Sequence, residues 1–322
     1  LICWLESRSN TAVPLIKIVL ILLCGVLMAA AVLGAWAWAP DRARASLEPK
    51  YAGAATRYEH VAGTVLRVRD TGSKTSPALL MLHGFGSSLE TWEPWATALS
   101  ADYRVVRFDL PGSGLSSPDP TGRYDDVRSV AVLLALMDEL RISRAVLIGN
   151  SLGGRIAWKF AAAHPERVAK LVLISPDGFA SPGFDYGKPP KVPTALQLMK
   201  YFLPKTLLRA NLAAAYADAH RLTDPVVDRY YELLLASGNR EAMIERMQQT
   251  ILEDPRPVLR RIETPTLLLW GEKDRMIPFT NAADYLRELP HGQLISYPTL
   301  GHVPYEESPQ ESLPALVEFL RQ

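Results

Sequence analysis

The sequence predicts an α/β fold, with a mainly parallel central sheet, helices on both faces and a helical cap inserted late in the chain. Three observations carry that expectation. Apolar-rich runs at residues 78–82, 104–108, 145–148, 170–175 and 266–270, the first of them continuous, read as strands buried on both faces, and helical stretches lie between them. Gly149-Asn150-Ser151-Leu152-Gly153 stands where one of these runs passes straight into the helical stretch 155–162. From about residue 179 to residue 261 the strand signal disappears, leaving Leu-, Ala-, Met- and Tyr-rich helical segments, and then it resumes.

The 322 residues carry a formal net charge of +1 and are 48% hydrophobic, enough for one large domain with a sizeable core plus an appendage. So small a charge gives no electrostatic case for a nucleic-acid partner. The appendage comes first. Residues 18–39 hold no charge, and a stretch of about 22 residues at 1.5 Å per residue matches the hydrocarbon core of a bilayer. A cleaved signal would end in a small-x-small site. Ala37-Trp38-Ala39 has that form, but Pro40 follows it, and Trp36 and Trp38 suit an interfacial collar better. Residues 1–40 are therefore expected to be an uncleaved single-pass anchor that contacts membrane lipid. The flanking cations are too evenly split to orient it, so the side of the membrane stays open. Cys3 and Cys24 both lie in or before the span, so the remainder can form no internal disulfide.

Residues 41–55 are polar with scattered Pro and Gly, and read as a linker to a domain spanning 56–322. Residues 57–70 alternate enough for a two-stranded opening. The run 78–82 ends in His83-Gly84-Phe85-Gly86, and Ser87 or Ser88 is placed to cap the next helix. The run 104–108 ends in Asp109-Leu110-Pro111-Gly112-Ser113-Gly114. Residues 130–140 have helical periodicity, 294–297 form the last strand, and 309–322 form the terminal helix. An insertion of about 80 residues between two sheet strands (179–261) is most simply a cap over the carboxyl edge of the sheet.

Chemistry in an open α/β sheet sits beyond the carboxyl ends of its strands. The polar residues there are His83, Asp109, Ser151, Asp177, Asp274 and His302. A serine hydroxyl needs a neutral imidazole to take its proton, and a carboxylate to orient that imidazole. His302 follows the last strand, Asp274 the one before it, and the order Ser151, Asp274, His302 is the one expected of such a site. Asp177, after the strand that follows Ser151, is the rival acid. No cluster of His, Cys and carboxylates has metal-ligand spacing, so neither a metal nor a cofactor is expected.

These five motifs, His83-Gly84-Phe85-Gly86, Asp109 to Gly114, Gly149 to Gly154, Gly271-Glu272-Lys273-Asp274 and Gly301-His302, resemble those of the serine α/β-hydrolases over about residues 55–322. The resemblance implies that the backbone N–H groups of Phe85 and Leu152 form the oxyanion hole. It also implies that His83 organises a loop and Asp109 ties the turn after it. Anchor, serine and cap together are similar to membrane-anchored monoacylglycerol lipases. The expected reaction is therefore hydrolysis of an apolar carboxylic ester through an acyl-enzyme, on a small acyl ester or a monoacylglycerol-like molecule. The alternative is a carbon–carbon hydrolase of the meta-cleavage product type, which Asn150-Ser151 also resembles. Those relatives usually carry Trp after the catalytic His, where this chain has Val303. A third reading, from another class, is a non-catalytic binding module on the same fold. Nothing in the sequence points to a protein partner. Between residues 186 and 217 the cap has Lys188, Lys191, Lys200, Lys205 and Arg209 but no acid, a pattern that suits docking on an anionic surface.

Overall fold

A computed structural model describes residues 12–53, 55–180 and 185–322. Eight strands form one sheet: β1 (Thr56–Val61), β2 (Thr64–Thr71), β3 (Ala78–Leu82), β4 (Arg104–Phe108), β5 (Ala145–Asn150), β6 (Val168–Ile174), β7 (Thr266–Gly271) and β8 (Gly292–Tyr297). Their spatial order is β1-β2-β4-β3-β5-β6-β7-β8. β2 is antiparallel to both neighbours, and every pairing from β4 to β8 is parallel. The chain order reverses across β3, which has β4 on one side and β5 on the other. That reversal opens a crevice above the carboxyl ends of β3 and β5.

The helices are α1 (Ala12–Ala37), α2 (Arg44–Tyr51), α3 (Glu93–Leu99), α4 (Asp126–Glu139), α5 (Leu152–Ala163), α6 (Lys205–Leu212), α7 (Asp224–Leu234), α8 (Asn239–Gln249), α9 (Arg256–Leu259), α10 (Thr280–Glu288), α11 (Pro304–Glu307) and α12 (Pro309–Arg321). Side-chain alternation along β3 shows why its run is apolar throughout. Leu80 and Leu82 join a core with residues of α4, α5 and α10, while Leu79 and Met81 join a second core with Trp92, Trp95 and α12. Leu80 and Met81 are fully buried, so truncating either to Ala should destabilise the fold by about 2–5 kcal/mol. At the start of α4, Asp125 accepts a bond from the Arg128 amide at 2.8 Å. Ser88 does stand at the next-helix cap position, but its side chain makes no capping bond. The Leu89 amide is instead satisfied by Asp109 Oδ1 at 2.8 Å.

The described structure between β6 and β7 is helix, turn and coil with isolated β-bridges at Phe202 and Ala236, and it includes α6 to α9. The four residues 181–184, within the expected cap, lie outside the described residues. Ile16–Ala37 is long and apolar enough to cross a membrane, and none of it is buried in the domain.

Residues 41–55 are not a simple linker. They contain α2, which is stitched to the cap by contacts nearly 200 residues apart in sequence. Asp41 pairs with Arg240 at 2.5 Å, Arg44 Nη2 donates to Asn239 at 2.9 Å, and Lys50 Nζ and the Tyr51 hydroxyl both reach Glu232 at 2.7 Å. Leu47 and Tyr51 are buried with Leu115, Leu233 and Ala236. Local composition looked like a linker because nothing within the segment records these distant partners.

Candidate active site

Ser151 sits between the end of β5 and the first residue of α5, at φ 53° and ψ −118°. A non-glycine residue is rare there, and the strain persists because the surroundings leave no alternative. A Cβ on Gly153 would lie 2.2 Å from the Leu82 carbonyl oxygen, so β3 and the first turn of α5 can approach only across a glycine. The elbow is set by backbone packing, and Ser151 is carried at the α5 N-terminus, where the helix dipole favours negative charge.

His302 is fixed at three points. Its Nδ1 lies 2.7 Å from Asp274 Oδ2, its own N–H donates to the Ala215 carbonyl at 2.7 Å, and its carbonyl accepts from Asn150 Nδ2 at 3.0 Å. An aspartate accepts only, so Nδ1 carries the hydrogen and Nε2 is left as the basic nitrogen. Asp274 is held in turn, its Oδ1 accepting the Met276 and Ile277 amides at 2.8 and 2.9 Å. Ser151 and His302 line one cavity. No Ser151–His302 hydrogen bond is formed among the described residues, and such bonds commonly tighten only with substrate in place.

Asp177 is engaged elsewhere. Its carboxylate meets the buried Arg155 at 3.1 Å, and Arg155 also holds Asp126 at 3.0 Å. His83 is buried and spent on the loops, its Nε2 accepting the Leu110 amide at 3.0 Å while Nδ1 donates to the Gly84 carbonyl at 2.8 Å. Burial lowers its pKa and favours the neutral ring. Asp109 accepts from Arg67, Leu89 and Leu115. Gly84 abuts the nucleophile loop so closely that a Cβ there would lie 2.7 Å from Asn150 Oδ1 and 3.3 Å from Ser151 Cβ. Leu152 opens α5, so its amide has no acceptor within the helix.

Sequence reasoning missed Asn150 as a joint. Its Nδ2 bridges the carbonyls of Ile174 (3.1 Å) and His302, and its Oδ1 accepts the Tyr305 hydroxyl at 3.1 Å. Tyr305 stacks on Trp92 with ring centroids 4.0 Å apart. Thus the side chain next to Ser151 pins the loop that carries His302, and its donors are used up. The only local sign was a polar residue beside the serine; its partners His302 and Tyr305 lie about 150 residues away.

The cavity measures about 430 Å³. Its cap side is formed by residues such as Leu196, Met199, Phe202, Leu203, Leu208 and Leu212, and the described residues lining it include no Lys or Arg. A side chamber of about 20 Å³, room for one water, shares Phe85 and Tyr230 with it and reaches Arg246. That guanidinium is buried, donates to the Pro111 carbonyl at 3.1 Å and lies over the Tyr124 ring. Burial pushes its pKa down to about 10.

Residues 77–309 match the family model described as the alpha/beta hydrolase fold. The chain belongs to the α/β-hydrolase family. It is 31% identical over 283 residues to a 2-hydroxy-6-oxononadienedioate/2-hydroxy-6-oxononatrienedioate hydrolase of Burkholderia vietnamiensis (strain G4 / LMG 22486), covering 83% of this chain and 96% of that one. Among solved structures, the enol-lactonase from Burkholderia xenovorans LB400 superposes with a TM-score of 0.72 at 24% identity, over 83% of this chain and all of that one. A membrane phospholipase A described as a bacterial virulence factor superposes with a TM-score of 0.70 at 27% identity, and there the match covers 97% of this chain and 98% of that one. This α/β-hydrolase is therefore a hydrolase by family, with relatives that act on different bonds.

Proposed function

We propose that this α/β-hydrolase cleaves carboxylic esters with an apolar acyl chain, of the monoacylglycerol-like class, while held on a membrane by α1. Ser151 would attack the ester carbonyl as His302 Nε2 takes its proton, with Asp274 orienting the ring and stabilising the imidazolium. The tetrahedral oxyanion would be received by the Phe85 and Leu152 amides. His302 would then protonate the leaving alcohol. Water would attack the acyl-enzyme, giving its proton to His302, and the carboxylic acid would leave with Ser151 restored.

The observation that carries this reading is the cavity. It joins Ser151 and His302 to an apolar cap wall with no cation among its described lining. A dioate such as the Burkholderia vietnamiensis relative's name describes would bring carboxylates into that space, and a buried carboxylate without a charged or multiply hydrogen-bonding partner is strongly disfavoured. Coverage bears on the membrane part of this reading alone. The phospholipase match extends over 97% of this chain, whereas the dioate hydrolase match covers 83%.

By relatives alone carbon–carbon hydrolysis is the better-supported reading, and two observations favour it. One is the 31% identity to the dioate hydrolase, and the other is Arg246, which reaches the side chamber. One panel separates the two. Full-length protein is assayed on p-nitrophenyl esters of increasing acyl length, on a monoacylglycerol, and on a ring-cleavage dienedioate. The ester reading expects ester turnover that rises with acyl length and survives Arg246→Met. Turnover of the dienedioate alone, abolished by Arg246→Met, would overturn it.

A further inference from the structure

The last residues of α1 do not leave the domain; they are built into the cap. The Leu203 amide donates to the Ala37 carbonyl, and the Ala39 amide donates to the Tyr201 carbonyl, both at 2.9 Å, so Trp38 and Phe202 pair as in an antiparallel ladder. Trp38 is also stacked on Tyr201 with ring centroids 6.4 Å apart, and it meets Phe202 edge-on at 5.6 Å. Ala39 is buried with Leu203 and Leu235. Downstream, the Arg42 amide donates to the Leu235 carbonyl at 2.7 Å and the Ser237 amide returns a bond to the Arg42 carbonyl at 2.9 Å. With the α2 contacts, this makes a stiff mount between span and cap.

The same cap segment is where the cavity opens. Leu198 and Leu207 line the cavity and are also more than half exposed, which puts them at its mouth. Tyr201, Trp38 and Trp36 are more than half exposed as well, and Tyr201 stands between those two leucines in sequence. The mouth is therefore ringed by apolar and aromatic side chains that adjoin the end of a helix long enough to cross a bilayer.

Charge has a smaller part here than the sequence led us to expect. Four of the five cap cations face acids contributed from nearby or from other cap helices: Lys188 with Asp185, Lys200 with Glu241, Lys205 with Asp228 and Arg209 with Asp224. Paired in this way, they offer little net attraction to an anionic surface.

We infer that the Trp36, Trp38, Leu198, Tyr201 and Leu207 collar is seated in the lipid leaflet at the end of α1, so that ester substrates pass from the bilayer into the cavity without crossing water. The inference rests on the proposed reading of α1 as a membrane span and of the cavity as an acyl site. Its occupant is the lipid leaflet itself, held by apolar contact and indifferent to headgroup charge.

The test uses the full-length chain in phosphatidylcholine vesicles. In a Cys3→Ser, Cys24→Ser background, an environment-sensitive fluorophore is attached at Tyr201→Cys, or at Asp102→Cys on the exposed turn before β4, at the amino ends of the parallel strands. Doxyl-labelled lipid should quench the label at 201 roughly threefold more than the label at 102, and about equally when phosphatidylglycerol replaces part of the phosphatidylcholine. Equal quenching at both sites would overturn the inference, as would quenching that appears only with the anionic lipid. Self-quenching at 201 that vanishes as protein is diluted in lipid, without doxyl quenching, would put a second copy of the chain on the collar and also overturn it.

A second arm reads function. Trp38→Ser with Tyr201→Asp should lower turnover of a vesicle-embedded long-chain ester about tenfold and leave a soluble butyryl ester within about twofold. Parallel loss on both substrates, or no loss on either, counts against the collar. A wild-type protein that cleaves no ester at all would sink the ester reading, while lipid quenching at 201 would still decide the docking.

Discussion

The two walls of the cavity are held in different ways. On the sheet side, the reactive residues are fixed by backbone geometry and by buried side-chain hydrogen bonds. Ser151 is forced to a positive φ by the β5–α5 turn, Gly153 presses on the Leu82 carbonyl, and His302 is tied through its own N–H and carbonyl. The cap side is tied by backbone bonds where it meets residues 37–42, and around the cavity it is held largely by side-chain pairs at its surface and by apolar packing beneath. Lys200–Glu241 and Lys205–Asp228 are examples of the first, and Met199, Leu203 and Leu208 supply the second. Backbone geometry tolerates almost no substitution, whereas apolar packing tolerates swaps that keep volume and greasiness. The chemistry therefore belongs to the rigid wall and the choice of substrate to the forgiving one.

Substitutions should divide the same way. Ser151→Ala should lower kcat roughly 10⁶-fold with the fold intact by circular dichroism. Asp274→Asn should lower kcat by about 10³–10⁴, because it leaves His302 in the wrong tautomer, while Asp177→Asn should act mainly on stability through Arg155. A larger kinetic effect from Asp177→Asn would move the orienting acid. Asn150→Leu should strand the Tyr305 hydroxyl and loosen the His302 loop. We expect a fall in kcat of about 10–100-fold with KM little changed, since 1–3 kcal/mol is at stake in such a buried polar group. An unchanged kcat would reduce Asn150 to packing.

Changes in the cap should be milder and of another kind. Leu208→Trp should shift the preferred acyl chain to shorter lengths, read from kcat/KM across an ester series, at a stability change of about 1–3 kcal/mol. Lys205→Glu should change turnover of short soluble esters by less than about twofold, because exposed ion pairs contribute only about 0–1 kcal/mol. A cap-surface charge change that alters kcat on a soluble ester as much as Asn150→Leu would erase the distinction between the walls.

Much of the rigid wall could be read in the sequence, because its signals are local. The strand runs are largely apolar, the glycines flank Ser151 within two residues, and Asp274 and His302 each follow a strand within five residues. What escaped depended on distant partners. Residues 41–55 read as a linker because the side chains of Asp41, Arg44, Lys50 and Tyr51 meet partners as distant as cap residues 232–240. The cap lysines read as a docking surface because the acids that meet Lys200, Lys205 and Arg209 come from α7 and α8. Asn150 was legible as a polar residue but not as the joint to His302.

The central claim is that Ser151 takes up an apolar acyl group into the cap cavity. The most direct measurement mixes full-length protein with p-nitrophenyl decanoate, quenches within the first turnover, and maps the adduct by mass spectrometry of the peptide that holds residue 151. The account predicts a burst of nitrophenol and one decanoyl group on Ser151, both absent from Ser151→Ala. No burst and no acyl adduct with any ester, alongside turnover of a dienedioate, would contradict it.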